Sequence, residues 1–376
     1  MATLLCGAKI LWEGELVEGH VLLFDQRVLA CVPEDRADGL MGGRVDVGGG
    51  YAIPGLIDVH VHGCLGHDLM DATDEALDGM SRAKAEEGVT MFLPTSVSAP
   101  WEEIEAAVEA TRRAMSRALP GAAVAGMHLE GPWIEEARRG AHPSAHIRSE
   151  IDVAWIERNA DVIRTVTYSP VLDLGLRATR AMASMGVVPS VGHTTASFEL
   201  ARAAFDAGAR CVTHLFNAQT GLHHRAPGVP GAAAVSGATC ELIADGRHVR
   251  PELFEPLFRM MGADRIVLIT DAMRAAGMSD GSYAFAGETV RVEGGLPYIG
   301  ETIAGSTLRM DEALRNVLRA TGRPLAEVVA MASRSPARLL GLSRKGVLAP
   351  GMDADITCLD EELHPRMTFV GGRRVP

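Results

Sequence analysis

Hydrophobic and polar positions alternate along this chain in two textures. Up to about residue 50, short apolar runs between glycine-rich turns ("TLLCGAKILWEGEL", "EGHVLLFDQRVLACVPE", "GGRVDVGGGYAIPG") predict small antiparallel strands with no helical period. The stretch from about Lys345, "KGVLAPGMDADITCLDEELHPRMTFVGGRRVP", has the same texture. Two β-rich ends around a different middle predict a small β-sandwich domain assembled from residues 1–53 and 345–376. Residues 54–344 repeat another unit: a β-branched run, a loop, then a helix with apolar residues at three and four spacing. Eight runs can be counted: "GLIDVHVHG", "GVTMFLPTS", "AVAGMHLEG", "RTVTYSP", "VVPSVGHT", "RCVTHLF", "CELIADG" and "RIVLITDA". The fold expected is α/β, a (β/α)8 TIM-like barrel carrying the small sandwich. A doubly wound open sheet would more often carry G-x-G-x-x-G after its first strand, and "VHGCLGHD" does not match it. Gly277 to Ser306, punctuated by glycines, predicts a hairpin and loop over the barrel mouth.

Composition narrows the function classes. With 376 residues, 47% of them hydrophobic and 22% charged, the chain can bury a large core. A formal net charge of −12 gives no global attraction for nucleic acid or an anionic membrane, so an anionic ligand has to be held by a few local basic groups. The first residues, "MATLLCGAKILWEGE", lack a basic region followed by a long apolar run, and no stretch approaches about 18 uninterrupted apolar residues. The expectation is a soluble cytoplasmic protein. Six cysteines stand singly with no Cys-x-x-Cys spacing, which predicts free thiols in a reducing compartment.

The barrel strands share one further feature. Read to its C-terminal end, each of six strands offers a metal-binding or acid/base group: His60 and His62 on the first, Glu130 on the third, His193 on the fifth, His214 on the sixth, His248 after the seventh and Asp271 on the eighth. In a barrel those ends converge on one face, where active sites are built. His60 and His62, one residue apart, point the same way from a strand. Glu130, ending an apolar strand, would be costly there unless paired or metal-bound. Two imidazoles and a carboxylate, as in Glu130, His193 and His214, match a catalytic zinc set that leaves a position open for water. Asp271 could serve as a helix N-cap; beside a metal it could accept a proton from water and return it to a leaving group.

The motifs "PGLIDVHVHG", "GMHLEGPW", "GAHP", "VGHT", "THLFNA" with "HHRAPGVPGAA", "IADGRHV", "TDAM" with "AAG", and "AGST" run over nearly the whole chain. In this order they resemble the amidohydrolase superfamily and, within it, the N-acetylglucosamine-6-phosphate deacetylases. The resemblance implies hydrolysis of the acetamide of an amino-sugar phosphate, yielding glucosamine 6-phosphate and acetate in amino-sugar catabolism or cell-wall sugar recycling. It implies Glu130, His193 and His214 as ligands of a divalent metal, zinc foremost and iron, cobalt or manganese also suitable, with His60 and His62 at a second metal position and Asp271 as general base and acid. Ala141 and His142 fall near the substrate amide. Asn217, Ala218, Arg225 and His248 fall where the sugar phosphate is held, and Ile303, Ala304 and Gly305 beside the sugar. It further implies a homodimer whose partner subunit lies near the phosphate. Departures fall in the substrate loops: the chain reads "NAQTG" where relatives commonly have Met-Pro after "FNA", "DAMRAAG" replaces "DAMPAAG", and strand four ends in "YSPVLD". Competing readings are an amidohydrolase for N-acetylgalactosamine 6-phosphate, an N-acyl amino acid or a cyclic amide, and a non-catalytic metal-binding barrel.

Overall fold

A computed structural model describes residues 2–376. The terminal segments form two sheets. One has four strands in the order Val28–Pro33, His20–Phe24, Thr3–Cys6, Gly43–Asp46. The other has six and interleaves the two ends of the chain: Tyr51–Pro54 and Lys9–Trp12 from the N-terminal side lie beside Ile356–Leu359 and Pro365–Val370 from the C-terminal side. Leu5, Ile10, Leu22, Phe24, Ile356 and Phe369 form part of a shared apolar cluster between them. The strands are not all antiparallel as expected: Thr3–Cys6 pairs in parallel with Gly43–Asp46, and Lys9–Trp12 with Tyr51–Pro54. Alternating apolar residues specify a half-buried strand whichever way its neighbour runs, so direction is invisible to the pattern.

The middle of the chain is a (β/α)8 barrel. Its strands are β1 Leu56–Val61, β2 Val89–Pro94, β3 Met127–Glu130, β4 Ile163–Tyr168, β5 Val188–Val191, β6 Cys211–Val212, β7 Thr239–Ile243 and β8 Ile266–Ile269. β3 to β8 form one continuous parallel sheet and β1 pairs in parallel with β2. Single bridges, Thr95 to His128 and Val61 to Ala272, close the ring. The helices behind them include α1 Asp74–Glu86 and α2 Trp101–Met115. Thr73 caps α1 by accepting the Ala76 amide at 3.1 Å, the short-range signal that starts that helix. Further along, α8 spans Met310–Thr321. Among the described residues no helix is long and apolar enough to cross a membrane.

The insertion after β8 is larger than a hairpin. It is a four-stranded antiparallel sheet of Gly281–Phe285, Glu288–Glu293, Leu296–Ile299 and Thr302–Ile303. Its tight turns use Ala286-Gly287 and Gly294-Gly295, all at positive φ, the backbone that matches strand twist in two-residue hairpin loops.

Candidate metal and active site

The strand ends bring Glu130, His193, His214, His60, His62 and Asp271 together, all buried at the C-terminal face of the barrel. His193, His214 and Asp271 have φ of 45°, 28° and 49°, a left-handed backbone that costs about 1–3 kcal/mol per residue and is held only where the surroundings over-determine it. Among the described residues the candidate ligand atoms fall into three groups, each with its atoms within 4.8 Å of one another: Glu130/His193/His214 and His60/His62/Asp271, built from these six residues, and His60/His128/Glu241. Glu130 lies between the first two: Oε1 is 3.0 Å from His214 Nε2 and 3.2 Å from His193 Nε2, while Oε2 is 3.4 Å from His62 Nε2.

Hydrogen-bond bookkeeping decides what these rings can do. A carbonyl only accepts, so the Arg138 carbonyl 2.7 Å from His193 Nδ1 and the Thr95 carbonyl 3.2 Å from His62 Nδ1 fix a proton on each Nδ1. The Glu241 carboxylate does the same for His60 Nδ1 at 3.0 Å. In their neutral forms all three rings therefore present an Nε2 lone pair. Those lone pairs face carboxylate oxygens: His62 Nε2 is 3.2 Å and His60 Nε2 3.4 Å from Asp271 Oδ1, and His60 Nε2 is buried with no hydrogen-bond partner. Acceptors facing acceptors require positive charge between them. Burial opposes charging His60, yet the Glu130, Asp271 and Glu241 carboxylates overcome it and hold its pKa well above the usual histidine value. For His62, burial is likewise outweighed by Asp271 and Glu130, which lift it to about 9. The same rings act on Asp271, where burial is overcome by His60 and His62 and the pKa falls to about 2. Imidazole nitrogens and carboxylate oxygens arranged around a demand for positive charge fit a divalent metal ion.

His142 is held in the opposite sense. The Ser98 amide donates to its Nδ1 at 3.0 Å, so the neutral ring carries its proton on Nε2, 3.1 Å from Glu130 Oε2. Burial lowers its pKa to about 4, which keeps the ring a neutral donor.

Beside these groups lies a cavity of about 380 Å³. Ala141, His142, Asn217, Ala218, His248, Ile303 and Gly305 line it together with His62, Glu130, His193, His214 and Asp271. Three expected residues do not: His60 is fully buried, Arg225 is exposed in the loop before α6 (Gly228–Ser236), and Ala304 is buried in an apolar cluster with Met273 and Val290. His248 is clamped by Asp245, whose Oδ2 is 2.6 Å from Nδ1 and whose Oδ1 accepts the amides of Arg247 and His248.

Several supporting residues escaped the sequence reading. Glu241, fully buried inside the apolar-looking "CELIADG", orients His60 and also accepts the His214 amide at 3.2 Å. His128 sits beside His60 with ring centroids 4.4 Å apart, but Val59 O and Thr167 Oγ1 occupy both its nitrogens. Glu135 accepts from Ser169, Thr194 and Thr195 and ties the loops after β3, β4 and β5. Their only signal in sequence is a polar residue inside or beside an apolar run, which is common.

Comparison with known proteins agrees with this geometry. Residues 51–375 match the model of the amidohydrolase family. The chain is 42% identical over 327 residues to N-acetylgalactosamine-6-phosphate deacetylase of Escherichia coli O157:H7, covering 85% of this chain and 86% of that one. It is 37% identical over 335 residues to N-acetylglucosamine-6-phosphate deacetylase of Lysinibacillus sphaericus, covering 88% and 87%. A solved structure of a variant N-acetyl-D-glucosamine-6-phosphate deacetylase from Mycobacterium smegmatis, in complex with N-acetyl-D-glucosamine-6-phosphate, superposes with a TM-score of 0.91 at 34% identity, covering 100% of this chain and 99% of that one. With a barrel, a buried histidine and carboxylate cluster and these relatives along its length, the chain belongs to the amidohydrolase family, in the group of the N-acetylglucosamine-6-phosphate deacetylases.

Proposed function

We propose that this protein is an enzyme that hydrolyses the acetamide of N-acetyl-D-glucosamine 6-phosphate to D-glucosamine 6-phosphate and acetate. The observation that carries the reading is the meeting of Glu130, His193 and His214 with Asp271 at one cavity. Glu130, His193 and His214 would hold the primary metal, zinc foremost and iron, cobalt or manganese also suited to the donor set, and His60 and His62 would serve a second position. Bound there, a divalent cation would lower the pKa of water towards about 7 and polarise the amide carbonyl. Asp271 takes the proton of the attacking water and delivers it to the amide nitrogen as the C–N bond breaks. The Nε2–H of His142, 3.1 Å from Glu130 Oε2 without substrate, turns to the carbonyl oxygen as charge builds on it. Ala141 backs that end of the cavity. Asn217, Ala218 and His248 receive the sugar phosphate, and Ile303 to Gly305 flank the sugar, Ala304 through its backbone. Arg225 stands outside the single-chain cavity, so its phosphate contact belongs to a homodimer in which it serves the neighbouring subunit. The same reading divides the chain into the two-ended sandwich, residues 1–53 and 345–376, and the hydrolase barrel, residues 54–344, working in the cytoplasm.

The test is Asp271→Asn: it should fold, keep its metal and lose almost all acetate release. A near-normal rate would sink the mechanism. The Escherichia coli relative supports a second substrate, N-acetylgalactosamine 6-phosphate. Comparing kcat/KM for the two sugar phosphates ranks them.

A further inference from the structure

The reaction cavity has a neighbour. A second cavity, of about 280 Å³, adjoins it, and Phe285 borders both. Phe285 ends the first strand of the insertion, is 5% exposed, and stands edge to face against the His62 ring with centroids 5.2 Å apart. Val290 and Met273 share its apolar cluster, so the ring is a fixed partition. Ser98, which holds His142, belongs to the lining of the second cavity, which is mixed: Met70, Val97 and Ala99 are apolar, and Asp68, Asp71, Glu103 and Arg274 are charged. The second cavity therefore lies directly behind the end of the site where His62 and His142 stand.

On the functional reading above, the amide carbon carries three groups. Its nitrogen leads to the sugar, towards Asn217 and His248. Its oxygen faces the metal site and His142. The acyl chain takes the remaining direction, away from the sugar, where His62 and Phe285 form the wall. We propose that Phe285 sets acyl-chain length: its ring closes the reaction cavity behind a two-carbon acyl group and denies longer acyl chains the adjoining cavity. A packed partition rejects an extra methylene by about tenfold or more. Removing the ring joins the two cavities and gives a longer chain somewhere to go.

The experiment measures kcat/KM of wild type, Phe285→Ala and Phe285→Leu on N-acetyl-, N-propanoyl- and N-butanoyl-glucosamine 6-phosphate, with metal content and circular dichroism recorded for each. The wild type should fall by about tenfold or more from acetyl to butanoyl. Phe285→Ala should raise the butanoyl-to-acetyl ratio by about tenfold or more, and Phe285→Leu by a smaller amount; the leucine variant carries the test if the alanine variant does not fold. The proposal is overturned if the folded variants lose all three substrates in equal proportion, or if wild type accepts butanoyl as readily as acetyl. Absence of acetate release by metal-loaded wild type would instead overturn the functional reading on which the proposal rests.

Discussion

Lys84 is the residue whose loss should be felt furthest. It is fully buried on α1, and its ammonium lies 2.9 Å from Glu87 and 3.2 Å from Asp58. Asp58, on β1, accepts the Thr270 hydroxyl at 2.6 Å, and Glu87 accepts the Met310 amide at 3.0 Å, at the start of α8. Thr270 immediately precedes Asp271, and Asp58 stands two residues before His60. One cation thus holds together β1, the end of β8 and the start of α8, beneath the site. Lys84→Met keeps most of the side-chain volume but leaves two buried carboxylates uncompensated. Breaking a buried ion pair by removing one partner costs about 3–5 kcal/mol. Against a total stability of about 5–15 kcal/mol this is a large fraction. With a urea slope of about 3 kcal/mol per M or more, the unfolding midpoint should fall by about 1 M. Adding Glu87→Gln should recover part of the loss, because one orphaned charge is then neutralised. The sign with pH follows from the shift: burial opposes the charged ammonium, but Glu87 and Asp58 raise its pKa above the usual lysine value. Its contribution is therefore complete below the unfolded value of about 10.4 and fades as pH rises beyond it, so the gap between wild type and variant should be flat from pH 7 to 9. Urea unfolding followed by circular dichroism measures this directly. A loss below about 1 kcal/mol would refute the claim that this cluster holds the strands under the site.

Three further outcomes follow from the geometry. Glu241→Gln should weaken metal binding by about 10–100-fold with the fold intact, since it supports His60 and the His214 amide, and titration against a competing chelator would read it. If the proposed second position fills, changing His60 and His62 together to alanine should lower metal content from two ions towards one, measured by elemental analysis; loss of all metal would make them primary ligands. Asp245→Asn should raise KM for the phosphorylated sugar about tenfold with kcat little changed, because a clamp on His248 is loosened while Asp271 is untouched, and steady-state kinetics on sugars with and without the 6-phosphate would detect it.

Much of the site was readable because strand ends are local. A β-branched run that closes on a polar residue marks where a barrel strand stops, so His60, Glu130, His193, His214 and Asp271 could each be placed from their own neighbourhoods. Glu241 and Lys84 were not readable. A carboxylate at an alternate position of a strand, or a lysine on a helix, carries no mark of whether it faces water, and here both are fully buried. Arg225 is the opposite case: a motif placed it with the phosphate, while the single chain leaves it exposed outside the cavity.

By itself, then, the sequence determined the alternation of strand and helix, the two-ended β-rich element and the list of metal-seeking groups, because each depends on residues within a few positions of one another. Only the tertiary structure decided which way the small strands run, how the insertion after β8 folds into four strands, which nitrogen of each histidine is free, and that Phe285 divides two cavities. Those features arise from groups separated by tens to hundreds of residues, and a hydrogen bond or a shared wall exists only once the closed barrel has brought both sides together.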